Sequence, residues 1–93
     1  MKDEINMKDE INMNCDELKK VLNEKNLKYK NAFIDTMEKY GDIALLIRLD
    51  GKIKRLEALL LDKLSPLEDE SLQDTLLDLA GYAILGRIYY NDN

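Results

Sequence analysis

The chain has 93 residues, enough for one small domain with a modest core; 45% hydrophobic and 35% charged residues exclude a disordered chain. A formal net charge of −5 excludes a general DNA or RNA binder, while leaving room for a local basic patch that holds one small anion. No histidine is present and Cys15 is the one cysteine, so no Ser-His or Cys-His nucleophile and no internal disulfide can be built.

The first twelve residues are MKDEIN written twice, followed by the degraded copy MNCDEL. A period of six matches no helical stripe, so residues 1–14 read as a flexible, repeat-bearing tail, at most a frayed helix. Asn14 followed by Glu17 has the form of a capping box and marks the expected start of a single helical domain over residues 15–93. From there Leu18, Leu22, Tyr29, Phe33, Met37 and Tyr40 share one helical face, with Val21 and Ala32 beside it. The spacing predicts one long helix from about residue 15 to Tyr40, softened at 23–26 and ended by Gly41.

Asp42 is the expected cap of a second helix over 43–63. Its apolar face reads Leu45, Leu46, Leu49, Ile53, Leu56 and Leu60, with Asp50, Lys54 and Glu57 on the solvated side. Gly51, inside that helix, costs about 1 kcal/mol against alanine and invites a close approach as its reason. Ser65-Pro66 breaks the helix, and residues 66–69 read as an acidic loop. A third helix opens between Glu68 and Ser71 and runs to about Tyr90, with the terminal Tyr-Tyr-Asn-Asp-Asn expected to fray. Its apolar residues, Leu72, Leu76, Leu77, Leu79, Ala80, Ala83, Ile84, Leu85 and Ile88, nearly encircle it. A helix apolar on most sides is buried on most sides, and in so small a bundle that calls for a homo-oligomer. Gly81 and Gly86 would allow close packing. The fold expected is all-α: a small three-helix bundle with a long first helix, completed by oligomerisation.

Three groups of residues could carry function. Arg48, Lys52 and Arg55 are spaced i, i+4, i+7 and span about 60° along one flank of the second helix's apolar face. A basic stripe there can meet buried carboxylates or a bound phosphate. Asp74 and Asp78 lie one turn apart in an otherwise apolar stretch, where two acids weaken a helix by a few tenths of a kcal/mol. They can form ion pairs with Arg48 or Arg55, hold Mg²⁺, or accept hydrogen bonds from a base or ribose. Tyr29, Phe33, Tyr40 and Tyr82 form an aromatic set that is core in the simplest reading; Tyr40 and Tyr82 are the better placed to stack on a base.

The segments MEKYGD, IRLDGKIKRLEAL and ESLQDTLLDLAGYAIL resemble, in order and spacing over about residues 27–90, the first nucleotide-modification-associated domain family. This is a small helical family found largely in phages and phage-bearing bacteria. The matching positions are Tyr40-Gly41, Arg48 with Lys52 and Arg55, and Asp74 with Asp78 and Tyr82-Ala83. The family often has an acid just before Tyr-Gly; here Lys39 stands there. The resemblance implies a role around nucleotides. The third helix is also similar to MazG-like all-α nucleoside triphosphate pyrophosphohydrolases, which use two carboxylate pairs to hold Mg²⁺; here only Asp74 and Asp78 are expected to face inward.

Three functions follow as expectations. The first is a non-catalytic, phage-type nucleotide-binding protein that sequesters a nucleotide signal of host defence, cyclic nucleotides included. Its ligand residues would be Arg48, Lys52, Arg55, Asp74, Asp78, Tyr40 and Tyr82, with no cofactor. The second is a Mg²⁺-dependent nucleoside triphosphate pyrophosphohydrolase. The third is a structural or regulatory oligomerisation module in which the same charges form a salt-bridge network. No apolar run is long enough to span a bilayer and MKDEIN is no signal region, so neither a membrane nor a nucleic-acid polymer is an expected partner, and the cytoplasm is the expected location.

Overall fold

The computed structural model describes residues 6–61 and 71–91. These form four α-helices and, among the described residues, no strand, so the all-α class holds with four helices in place of three. The chain divides into two compact units, Met1–Asn31 and Ala32–Asn93.

The first unit contains α1, Met7–Tyr29. Asn6 is its N-cap: the side-chain oxygen accepts the backbone N–H groups of Lys8 at 2.9 Å and Asp9 at 3.4 Å. Asp9 and Glu10 in the first turn complement the helix dipole. Residues 7–14, read from the sequence as a tail, are therefore helical. The cap is the asparagine that ends the first MKDEIN copy, not Asn14, whose side-chain amide instead donates to the Glu10 carbonyl at 2.8 Å. Once one asparagine caps the chain, each further residue adds a helical hydrogen bond at little cost, so the earliest cap wins.

The long first helix does not continue to Tyr40. Lys30 (φ 53°, ψ 55°) and Asn31 (φ 62°) are both left-handed, and two such residues in a row stop a right-handed helix. The Lys30 N–H closes the last turn on the Asn26 carbonyl at 2.8 Å. The interruption thus falls at 30–31, after the asparagine-flanked stretch where softening was expected.

The second unit is a bundle of α2 (Ala32–Tyr40), α3 (Asp42–Leu60) and α4 (Leu72–Asn91). Gly41 separates α2 from α3 with φ 75° and ψ −159°, a conformation that glycine adopts without steric cost. Its N–H donates to the Met37 carbonyl at 2.7 Å, and its carbonyl accepts the Ala44 N–H at 3.0 Å. Gly41, not Asp42, is the N-cap of α3; Asp42 is its first helical residue. At the start of α4, the Ser71 hydroxyl oxygen accepts the Asp74 N–H at 3.0 Å. The Ser71 carbonyl accepts both the N–H and the hydroxyl of Thr75, at 3.0 and 2.9 Å. α4 remains helical through Asn91, where fraying was expected from Tyr89 onward. The expected acidic loop at 66–69 lies outside the described residues.

The contacts between α3 and α4 step in opposite directions along the two helices, so they run antiparallel. Asp42 meets Tyr90, Leu45 lies against Gly86, and Lys52 meets Asp78. The buried centre contains Met37 (0% exposed), Ala44 and Thr75 (0%), with Gly81 and Gly86 buried on α4. Phe33 of α2 packs on Tyr82 of α4 at 5.9 Å between ring centroids. Of the apolar face expected for α3, Leu45, Leu49 and Leu56 are half-buried, but Leu46, Ile53 and Leu60 are exposed. Lys52 and Arg55 of the basic flank are half-buried beside these leucines, while Arg48 is exposed.

Candidate functional site

The centre of the candidate site is an ion pair between helices. Lys52 lies near the middle of α3 and Asp78 in the second turn of α4. The Lys52 Nζ and Asp78 Oδ2 are 2.9 Å apart, and each side chain keeps 23% of its surface accessible. Asp78 thus meets a basic side chain of the preceding long helix, as expected, and Lys52 is that side chain in the 2.9 Å pair. A charge-assisted hydrogen bond at this exposure is worth on the order of 1 kcal/mol. Neither side chain is fully buried.

The other charged candidates surround this pair unequally. Arg48, one turn before Lys52, is exposed and forms no ion pair among the described residues. Arg55, one turn after it, is half-buried; the antiparallel register sets it opposite the turn of α4 that contains Asp74 and Thr75. Asp74 is exposed, not inward-facing as the sequence suggests, and its N–H donates to the Ser71 hydroxyl at the start of α4. On the solvated side of α3, Lys54 Nζ and Asp50 Oδ2 pair at 2.7 Å. The hydrogen bond to Asp50 raises the Lys54 ammonium above its usual 10.5.

The two tyrosines part company. Tyr82 is half-buried against Phe33, so its ring is part of the α2–α4 contact. Tyr40, at the end of α2, is exposed, with the Lys39 ammonium 5.2 Å above its ring centroid. The structure therefore brings Lys52 and Asp78 together at the α3–α4 contact, with Arg55 nearby by register, while Asp74 is exposed. Tyr40 is about 15 Å away along α3 at 1.5 Å per residue.

Sequence reasoning missed two residues. The Tyr90 hydroxyl donates to Asp42 Oδ1 at 2.7 Å, joining the end of α4 to the start of α3. That bond, with some desolvation, raises the Tyr90 phenol above its usual 10.0. Thr75 is the buried polar residue among those described, and its hydroxyl donates to the Ser71 carbonyl. The Ser-x-x-Asp-Thr order at 71–75 was the available signal for the second, since it is the form of a helix start. Nothing local marks the first. Gly51 has no neighbour within 4 Å of where a Cβ would stand, so no close approach explains it.

Among the described residues no group of three or more His, Cys, Asp or Glu side chains could hold a metal ion, and no helix is long and apolar enough to cross a membrane. No protein-family model, curated protein or solved structure matches the chain.

Proposed function

We propose that the chain is a small, phage-type, non-catalytic nucleotide-binding protein that acts in the cytoplasm and sequesters a nucleotide signal of host defence, cyclic nucleotides included. The observation that supports this reading is the arrangement on α3. Lys52 is ordered by Asp78 yet accessible, and the Arg48 guanidinium stands exposed one turn away. An ammonium and a guanidinium one helical turn apart suit a phosphate group. Asp74 is an exposed acceptor for a base or ribose on the facing helix, and Tyr40 offers an open ring. Self-association belongs to the same reading, with ligand sites formed where copies meet.

A thermal-shift screen against mono-, tri- and cyclic di- and trinucleotides, each with and without Mg²⁺, tests it. A ligand at a hundredfold its dissociation constant should stabilise by about 2.7 kcal/mol, which moves the melting temperature of a small domain by several degrees. Arg48→Ala should abolish that shift while helical content and mass stay unchanged. A shift that needs Mg²⁺ and consumes a triphosphate would replace this reading with the pyrophosphohydrolase.

The second reading is a structural module. It draws on the Lys52–Asp78 contact itself, which links α3 to α4 as an internal salt-bridge network would. It expects no shift with any member of the panel and a lower melting temperature for Lys52→Met.

A further inference from the structure

We propose that the bare face of the α3–α4 pair docks on the same face of a second copy, forming an antiparallel four-helix core in which α3 of each chain lies on α4 of the other. The inference rests on the self-association in the reading above and is independent of its ligand.

The face is visible in the spacing. On α3, Leu46, Leu49, Ile53, Leu56 and Leu60 follow one another at alternating steps of three and four. On α4, Leu72, Leu76, Leu79, Ala83, Gly86 and Tyr90 do the same. This is the seam of a helix that packs in a coiled coil or four-helix bundle. Alternate members of each seam differ in burial. Leu49, Leu56, Leu72 and Leu79 are half-buried, and Gly86 is buried against Leu45. Leu46, Ile53 and Leu60, seven apart on α3, are 45 to 59% exposed. Leu76, Ala83 and Tyr90, seven apart on α4, are exposed as well. Half of each seam is therefore used within the chain, and the other half faces solvent.

Both seams lie on one side of the pair. Ala44 and Gly81 are buried, and they stand about 200° around their helices from Leu46 and Ala83. Leu45 against Gly86 and Lys52 against Asp78 set the antiparallel register, which puts Leu49 about level with Ala83 and Leu56 with Leu76. From Leu46 to Leu60 the face is about 21 Å long, and two helices are about 20 Å wide, so it covers about 400 Å² before side-chain relief is counted. The smallest specific interfaces bury about 600 Å² per copy, a size that such a face approaches.

A partner for this face must offer an uncharged seam of the same spacing and length, and a second copy does so by two-fold symmetry. The flanks choose the arrangement. Beside the exposed half-seam of α3 stand Asp50 and Glu57, and beside that of α4 stand Gln73, Ala80 and Arg87. Packing α3 on α3 would bring two acidic flanks together. Packing α3 on the partner's α4 sets each acidic flank against one with a cation and no acid.

Light scattering of the full chain at tens of micromolar should give the mass of two chains with no nucleotide present. Ile53→Lys and Leu76→Lys each put a charge in the seam, and each should return the mass of one chain while circular dichroism shows the helices kept. Should either variant lose its helices, cross-linking decides, on chains with Cys15→Ser and one new cysteine. A mixture of Ile53→Cys and Leu76→Cys chains should oxidise mainly to the mixed disulfide, read by mass spectrometry. Lys54→Cys, about 100° off the seam, should stay reduced. A single-chain mass for the wild type, a dimer that survives both lysines, or cross-linking through Lys54→Cys in place of the seam overturns the proposal. Ile53→Cys homodisulfides in place of the mixed product overturn the packing of α3 on α4. A dimer through this face that binds no nucleotide leaves the inference standing and removes the nucleotide reading, and a single chain that binds one does the reverse.

Discussion

A single hydroxyl joins the far end of α4 to the start of α3. The Tyr90 phenol is raised above 10.0 chiefly because its hydrogen bond to Asp42 needs the proton. A group whose value is higher in the folded than in the unfolded chain contributes stability that is complete below the unfolded value and is lost as pH rises through the folded one. The melting temperature should therefore fall above about pH 10 more steeply for the wild type than for Tyr90→Phe. Lys54 is raised for a related reason and titrates in the same region, so the difference between the two proteins is the quantity to read. Parallel curves would mean that the Tyr90–Asp42 bond does not contribute in solution. Lys52 and Arg48 show a similar division of labour: one cation is held by a carboxylate, the other is left to solvent, and only the second can be removed without disturbing the α3–α4 contact.

Among the elements, α3 and α4 each contain a glycine whose surroundings differ, and alanine should separate them. Gly51 is exposed, helical and has nothing within 4 Å of a built Cβ. Gly51→Ala should stabilise by about 0.5–1 kcal/mol, raising the melting temperature by several degrees. Gly86 is buried, and a Cβ there would stand 3.2 Å from Leu45 Cδ2. Gly86→Ala gains the same propensity but must push Leu45 aside, so it should fall well short of Gly51→Ala and can lower the melting temperature. Equal gains at both sites would show that α3 and α4 are not packed this closely. The break between α1 and α2 is also an element-scale event. Lys30 pays a steric cost in its left-handed conformation that glycine would not, so Lys30→Gly should stabilise the turn by about 1 kcal/mol, read by chemical denaturation.

At the scale of the whole molecule, the excess of exposed apolar side chains is the dominant feature. Ile43, Leu46 and Ile47 of α3 and Leu76, Ile84 and Ile88 of α4 are exposed, while Met37 and Ala44 are the buried hydrophobic residues of the core among those described. So small a core gives a single copy little margin, and covering these side chains would add about 25 cal/mol for each Å² of apolar surface removed from water. Light scattering at micromolar concentration should give a mass above that of one chain, and Ile47→Lys should lower both that mass and the melting temperature. A monomer at those concentrations, stable to the same substitution, would count against self-association.

The sequence by itself determined the helical class, the Tyr-Gly boundary before α3, the helix start near Ser71 and the need of Asp78 for a basic partner. These follow from local rules: propensity, capping chemistry and the desolvation cost of a carboxylate in an apolar segment. The tertiary structure alone decided that Lys52 meets Asp78, that Leu46 and Ile53 of α3 lie outside, and that Tyr90 reaches Asp42. It also placed the helix break at Lys30 and Asn31, where neither glycine nor proline marks it. Helical periodicity places residues on a face to within a few tens of degrees, which leaves several basic side chains equally eligible for one acid. The choice among them depends on how α3 and α4 are rotated about their own axes, and that rotation is set by packing across the bundle.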